Sequence, residues 1–142
     1  MTKNYLTATA SLLLSLCLAS CNNDKDYPVN YVGFEHNSQE YHYDKNIRED
    51  VLEVKIIAVD KEKKDRIVRL SGSSTEVPGE PSCFQLTEKQ VTIKADQKSA
   101  TTRIKIFPNH ILKNSTLRLT CTPQWKENDP KQSLLVIKFT PK

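Results

Sequence analysis

The chain has 142 residues, of which 37% are hydrophobic and 27% are charged, and its formal net charge is +4. This length suits one domain, and the apolar fraction excludes a wholly disordered chain. Basic and acidic residues are interleaved along most of the sequence, so we expect no nucleic-acid partner. The sequence contains no run of 18 apolar residues and therefore predicts no membrane-spanning helix.

The first twenty residues predict a secretory signal peptide of a lipoprotein. Lys3 is followed by an apolar stretch that ends in Leu18-Ala19-Ser20-Cys21, the pattern of a bacterial lipoprotein signal with cleavage between Ser20 and Cys21. The Cys21 thiol would then carry the lipid, because a thiol is the nucleophile that accepts it. The alternative, a buried cysteine in a core helix, fits poorly because the chain becomes polar directly after Cys21. Two or three acyl chains would anchor the protein stably to a membrane.

Residues 21–30 are predicted to form the lipidated cysteine and a polar tether, and residues 31–142 one domain. Apolar and polar residues alternate repeatedly through that domain, and β-branched residues dominate the alternating segments. The predicted strands are 31–34, 51–59, 66–70, 84–86, 91–94, 102–106, 116–120 and 135–139. This pattern predicts an all-β fold, namely an antiparallel, Ig-like β-sandwich of seven to eight strands.

Cys83 and Cys121 are the cysteines of the predicted domain. In an exported protein a disulfide between them is one alternative; it would close a loop of about 38 residues and contribute about 3–4 kcal/mol. Two separate buried thiols are the other alternative. Cys121 is in phase with Leu117 and Leu119 and is expected to point inward, whereas Cys83 is out of phase with Phe84. The pattern leaves both alternatives open.

Groups that would carry catalysis are sparse. The spacing of His36, His42 and His110 is not that of metal ligands. His36 and His42 could meet across a hairpin and hold a metal with a neighbouring glutamate, but exposed loop histidines are the better interpretation. The three glycines are scattered and predict no phosphate-binding loop. We therefore predict that the protein is not an enzyme and uses no cofactor or metal.

Three aromatic side chains are the candidate ligand contacts. Trp125 lies in a polar loop between Pro123 and Pro130, and Tyr41 and Tyr43 flank a polar residue. Aromatic faces beside amides and carboxylates suit sugar rings, which stack on them and hydrogen-bond through hydroxyl groups. For the two tyrosines, covering of the core is the better interpretation. For Trp125, ligand contact and capping of the sandwich are equal alternatives.

Lys94, Lys98, Arg103 and Lys105 alternate with less polar residues on two predicted strands. They could form a basic stripe that binds an acidic polysaccharide. A plain solvated face is the default interpretation of such a pattern.

Several of these segments together resemble the small surface lipoproteins of Bacteroides-type bacteria. They are the lipoprotein signal, the tether, and residues 31–34, 51–59, 65–70, 84–86 and 91–106, the last with an Ala-Asp-Gln-Lys-Ser turn between two strands. Such lipoproteins are similar to Calx-beta and Ig-like modules encoded beside starch-utilisation-type glycan import systems. The resemblance implies a β-sandwich at the outer membrane and carries over no binding residue.

These inferences together predict a lipid-anchored outer-membrane lipoprotein exposed at the cell surface. Its predicted function is non-enzymatic: it binds a polysaccharide as an accessory module of an outer-membrane uptake complex. The periplasmic leaflet is the alternative location. The alternative function is that of a structural or assembly lipoprotein, which pairs with an envelope protein through a strand edge.

Overall fold

Alternating apolar residues build nine strands in residues 27–142, the part of the chain that the computed structural model describes. Successive side chains of a strand point to opposite faces of its sheet, so the alternation gives each strand one apolar face. The strands are β1 (Val32–Phe34), β2 (Ser38–Tyr43), β3 (Asp50–Ala58), β4 (Arg66–Ser74), β5 (Phe84–Leu86), β6 (Gln90–Ile93), β7 (Ser99–Ile106), β8 (Thr116–Pro123) and β9 (Ser133–Pro141). A 3-10 turn, Pro108–His110, follows β7.

The strands form two sheets that pack face to face. The first sheet has the order β1-β3-β7-β5 and the second the order β2-β9-β8-β4-β6. This confirms the predicted all-β sandwich. Two details differ from the prediction: there are nine strands in the described residues, and β2 runs parallel to β9 while the other pairs are antiparallel. The strand that the pattern missed is β2, because this edge strand is mostly polar and half exposed.

The core lies between the two sheets and is filled by alternate residues of the long strands. On β9, for example, Leu135, Ile137 and Phe139 are buried, whereas Leu134 points outward and is 45% exposed. Burial of each such side chain contributes about 1.5–3 kcal/mol. The hydrophobic effect thus holds the two sheets together along their whole length.

At one end of the sandwich β1 of the first sheet contacts β9 of the second. The backbone N–H of Phe34 donates to Ser133 Oγ at 3.0 Å, and the Tyr31 hydroxyl donates to the Phe34 carbonyl at 2.6 Å. A Cβ on Gly33 would lie 2.6 Å from Ser133 Cβ, so only glycine allows this approach. The contact places Tyr31 beside the loop that connects β8 and β9.

The last residues of the predicted tether pack on the domain. The Tyr27 ring stacks on Tyr31 at a centroid distance of 5.1 Å, and its hydroxyl donates to the Glu35 carbonyl at 2.9 Å. The predicted cleavage and lipidation site, Ser20 and Cys21, lies outside the described residues. Between residues 27 and 142, no helix has the length and apolar character needed to cross a membrane.

Candidate functional site

A cleft of about 420 Å³ opens at the end of the sandwich where β1 begins. Its walls come from three segments: residues 30–32, the β3–β4 loop with the start of β4, and the β8–β9 loop. Its size falls within the usual range of small-molecule sites. Trp125 and Tyr31 both line it, so we refer to it as the Trp125 cleft.

Hydrogen bonds position the Trp125 loop. The Gln124 N–H donates to the Ile67 carbonyl at 3.0 Å, which extends the pairing of β8 with β4 by one residue. The Trp125 side chain is partly buried and packs against the core. The loop then turns through Asn128 and Asp129, whose φ angles are 65° and 47°; these residue types enter this left-handed region more readily than others. Trp125 is therefore held in place at the cleft.

The opposite wall is also held by backbone contacts. Asp65 accepts a hydrogen bond from the Ala95 N–H at 2.8 Å, and the Asp96 N–H donates to the Glu62 carbonyl at 2.7 Å. These bonds tie the β3–β4 loop to the β6–β7 turn. A wall that is ordered before a ligand arrives lowers the entropic cost of binding.

Carboxylates outnumber cationic side chains on the wall of the cleft. The charged lining residues are Asp60, Glu62, Asp65, Glu127, Lys64 and Arg66. A hydrogen bond from its own backbone N–H, with Lys64 nearby, lowers the pKa of Glu127, so this carboxyl is ionised at neutral pH. The cleft is net negative and offers mainly hydrogen-bond acceptors.

Arg66 differs from the other charged lining residues because it is buried, with a relative exposure of 6%. Its Nη2 donates to the Gln97 carbonyl at 3.2 Å, its Nε has no hydrogen-bond partner, and it forms no ion pair within residues 27–142. A buried polar group without a partner is costly. Sequence reasoning missed this residue, although its phase with Val68 and Leu70 placed it on the inner face of β4.

The structure does not bring Tyr41 and Tyr43 to Trp125. Tyr43 pairs with Pro141 at the far end of β9, about 27 Å along the strand from Ser133. Ser133 lies at the end of the sandwich that carries the cleft. Of the three candidate aromatic side chains, Trp125 lines the cleft and the two tyrosines do not.

Both of these tyrosines cover the core instead. Tyr43 is buried and meets Phe139 edge to face at 6.5 Å. Tyr41 meets the same ring edge to face at 6.1 Å, and its hydroxyl donates to the Asp50 carboxylate. Burial, and then the hydrogen bond to Asp50, raise the pKa of Tyr41. Tyr31, which sequence reasoning did not single out, is the tyrosine that lines the cleft.

The remaining candidate groups are neutralised or exposed. In the basic stripe, Arg103 lies 3.5 Å from Glu53 and Lys105 lies 3.2 Å from Glu49, because β3 pairs with β7 and brings carboxylates alongside. Lys94 lies 3.9 Å from Asp65. Paired charges attract an acidic polysaccharide weakly, so the structure favours the solvated face.

Two of the three histidines lie near glutamates on exposed surface. His36 lies 3.6 Å from Glu35 and His42 lies 3.4 Å from Glu40. In the part of the chain that the structure describes, no three His, Cys, Asp or Glu side chains are grouped as metal ligands would be.

Cys83 and Cys121 are separate, buried free thiols. Cys83 Sγ lies 3.7 Å from Ser74 Oγ, and Ser74 pairs with Leu117. Cys121 lies four residues further along β8, about 13 Å away at the rise of a strand, whereas a disulfide needs Cα atoms within about 7 Å. Of the two alternatives that the sequence left open, the sheet register favours two separate buried thiols.

The buried thiols predict a loss of stability in alkaline solution. Burial raises the pKa of Cys121 from 9.0 to about 12, so the folded chain keeps a proton that the unfolded chain releases above pH 9. The free energy of unfolding is expected to be unaffected by this group below pH 9 and to fall by about 1.4 kcal/mol per pH unit above it, up to pH 12. Urea unfolding at a series of pH values measures this slope. The slope should become shallower in Cys121→Ala, and an equal slope in both proteins would contradict the assignment.

Comparisons with known proteins identify a fold but no family. No family model matches the sequence, and no curated protein matches it. Among solved structures, the chain is similar to a "putative carbohydrate binding protein" from Bacteroides ovatus ATCC 8483, with a TM-score of 0.62, 10% identity, and coverage of 78% of this chain and 36% of that one.

Two further structures are similar to it. One is a two-domain protein of unknown function from Bacteroides fragilis NCTC 9343, with a TM-score of 0.53, 12% identity, and coverage of 98% of this chain and 51% of that one. The other is the class 5 fimbriae chaperone CfaA, with a TM-score of 0.52, 12% identity, and coverage of 78% and 56%. This chain therefore spans about a third to just over half of these proteins, and at such identities the likeness shows the β-sandwich fold alone.

Proposed function

We propose that this protein is a non-enzymatic lipoprotein that binds glycan in the Trp125 cleft as an accessory module of a polysaccharide uptake system. The observation that carries the proposal is the cleft itself, in which an indole ring lies among carboxylate and amide side chains. Sugars need this combination, because their C–H faces stack on aromatic rings while their hydroxyls donate to acceptors. The carbohydrate-binding description of the Bacteroides ovatus protein with the same fold supports it.

The chemistry of the cleft favours binding over catalysis. A general acid needs a carboxyl whose pKa is raised towards neutrality. The pKa of the Glu127 carboxyl in the cleft is shifted the other way, because its own backbone N–H and the nearby Lys64 lower it. A lowered pKa keeps the Glu127 carboxyl ionised, and a carboxylate suits the role of hydrogen-bond acceptor for sugar hydroxyls.

The proposed location is the outer surface of the outer membrane, with the chain anchored through Cys21. Its support is the Leu18-Ala19-Ser20-Cys21 sequence with the polar segment that follows. The alternative function, assembly through a strand edge, has less support from the fold. The edge strands β1, β5 and β6 have only three or four residues, and the fourth, β2, carries exposed charged and polar side chains, which is typical of edges protected from pairing.

Trp125→Ala is expected to abolish retention of polysaccharide, because truncation of an aromatic anchor at the centre of a site costs tenfold or more in affinity, on the order of 2 kcal/mol. Labelled polysaccharides from a plant and mucin panel are tested on intact cells and on purified protein. Tyr41→Phe is the matched control, since it keeps the ring at the other end of the sandwich.

Wild-type and Tyr41→Phe cells should retain a polysaccharide that Trp125→Ala cells lose. Retention by purified protein but not by intact cells would reject the surface location alone. Equal retention by wild type and Trp125→Ala would reject the site, and a membrane partner captured without any glycan binding would favour the assembly function.

A further inference from the structure

The outer face of the second sheet carries three cationic side chains without a counter-charge. Arg69 on β4, Arg118 on β8 and Lys138 on β9 are exposed and alternate with buried neighbours. None of the three forms an ion pair within residues 27–142. Among the five strands of this sheet as the structure describes them, Glu40 is the only acidic residue, and its carboxylate lies 3.4 Å from His42. At neutral pH this surface, which we call the Arg118 face, is net positive.

The outer face of the first sheet also carries three cations, but each of them is paired. They are Lys55 at 3.6 Å from Glu35, Arg103 at 3.5 Å from Glu53 and Lys105 at 3.2 Å from Glu49. An exposed cation that already has a counter-charge gains little from a further anion. The two faces therefore differ in what they attract, and the Arg118 face is the one suited to an anionic partner.

The sheet register places the three cations along one diagonal of the Arg118 face. Lys138 pairs with Thr116, two residues before Arg118, and Arg69 pairs with Thr122, four residues after Arg118. At the usual rise and spacing of strands, the Cα atoms of successive cations are about 8 Å and about 14 Å apart, and the whole line is about 22 Å long. This length suits an extended chain with repeated negative charges rather than one small anion.

The surface between the cations offers hydroxyl groups. Ser71 and Thr120 lie opposite each other between Arg69 and Arg118. Their short side chains keep the face shallow, and each hydroxyl both donates and accepts hydrogen bonds. A sugar chain uses both features, because its carboxylates or sulfates meet guanidinium groups while its own hydroxyls meet those of the protein.

A lipid surface fits the Arg118 face less well. Contact with a bilayer needs apolar side chains that enter the headgroup layer together. The exposed large apolar residues of this face are Ile67 and Leu134, and the register of β4, β8 and β9 sets them about 17 Å apart. They form no continuous apolar patch.

We propose that the Arg118 face is a second glycan-binding surface, which takes an acidic polysaccharide, and that Arg69 and Arg118 bind its carboxylate or sulfate groups. The proposal goes beyond the function assigned to the Trp125 cleft, since the two surfaces use different residues and each can bind without the other.

Isothermal titration calorimetry with the full-length chain, in micelles of an uncharged and sugar-free detergent, tests the proposal. The probes are two pairs that share a backbone and differ in charge: polygalacturonate with its fully methyl-esterified form, and dextran sulfate with dextran. In at least one pair the charged member should bind about tenfold or more tightly at low ionic strength, since two charged donors contribute at least that much. The difference should shrink at about 1 M salt, which screens exposed charges.

Two double variants separate the Arg118 face from net charge. Arg69→Gln with Arg118→Gln should lower the affinity for the charged polysaccharide to that for its neutral counterpart. Arg103→Gln with Lys105→Gln removes the same charge from the first sheet and should leave the affinity within about twofold, because those cations are paired. All four positions lie on outer faces, where substitutions change stability little.

The other results decide against the proposal. Equal affinities within both pairs would overturn it, whether the face then meets an anionic lipid surface or a second copy of the chain. Equal losses in the two double variants would also overturn it, because net charge would then be the cause. If the variant at Arg69 and Arg118 fails to fold, as thermal unfolding would show, Arg118→Gln alone takes its place.

Trp125→Ala distinguishes this proposal from the proposed function. It should leave the preference for the charged polysaccharide unchanged. Loss of that preference in Trp125→Ala would place the acidic sugar in the cleft, which overturns the Arg118 face and supports the proposed function. A preference that depends on Arg69 and Arg118, with no effect of Trp125→Ala on any polysaccharide, would support the Arg118 face and reject the cleft. Absence of all polysaccharide binding would overturn both.

Discussion

Leu135→Ala is expected to lower the free energy of unfolding by about 2–5 kcal/mol. Leu135 is 2% exposed and lies on β9, which is paired with β8 on one side and β2 on the other. Truncation removes buried apolar surface and leaves a cavity that two neighbouring strands prevent from collapsing. Urea unfolding followed by tryptophan fluorescence measures the change.

Leu134→Ala is the matched control for this prediction. It removes the same atoms from the adjacent residue of the same strand, but Leu134 is 45% exposed on the outer face of the sheet. We expect a change of no more than about 0.5 kcal/mol. Similar losses in the two variants would mean that the outer face of β9 is covered in solution or that the register of β9 is wrong.

Gly33→Ala is expected to lower the free energy of unfolding by about 2–4 kcal/mol. The new Cβ would lie 2.6 Å from Ser133 Cβ, and such overpacking costs about 1–3 kcal/mol. Moving β1 away would also break the hydrogen bond from the Phe34 N–H to Ser133 Oγ, at about 1 kcal/mol. Because Tyr31 lies two residues before this contact, glycan affinity should fall together with stability.

A double-mutant cycle separates steric overlap from other effects of Gly33→Ala. Ser133→Gly removes the nearer of the two side chains that the new methyl would meet, the other being Tyr31, whose hydroxyl oxygen would lie 2.8 Å away. Alone it should cost about 1–2 kcal/mol through the lost hydrogen bond. The double variant Gly33→Ala with Ser133→Gly is expected to be more stable than the sum of the single effects, by about 1 kcal/mol or more. If the effects of the two single substitutions on the free energy of unfolding simply add, contact with Ser133 is not the reason that position 33 requires glycine.

The long strands were predictable from the sequence because their pattern is local. In β3, β8 and β9 every second residue is apolar, and in β7 the buried Thr102 interrupts the same series. A strand places every second residue on one face, so the pattern records which side chains enter the core. The same reasoning predicted that Cys121 points inward, and it is buried. It failed for β2, where a polar edge strand has one fully buried residue, Tyr43, and the alternation is too weak to identify.

Contacts between distant segments were decided only by the tertiary structure. In the basic stripe, Arg103 lies near a carboxylate because the register of β3 against β7 places Glu53 opposite it. The two cysteines are separate because the register of β4 against β8 sets Cys121 four residues beyond the partner of Ser74. A local pattern determines the face on which a side chain lies, but not the residue that lies opposite.

The Trp125 cleft, too, was determined in part by the sequence and in part only by the tertiary structure. The sequence by itself determined that Trp125 lies in a polar loop after a strand, and that Arg66 belongs to a short strand. Only the packing of the two sheets brought these residues and Tyr31 to one cleft, since they come from three segments that are far apart in the chain. That Arg66 Nε finds no hydrogen-bond partner among residues 27–142 is likewise a property of the folded chain, because the satisfaction of a buried donor depends on every segment packed around it.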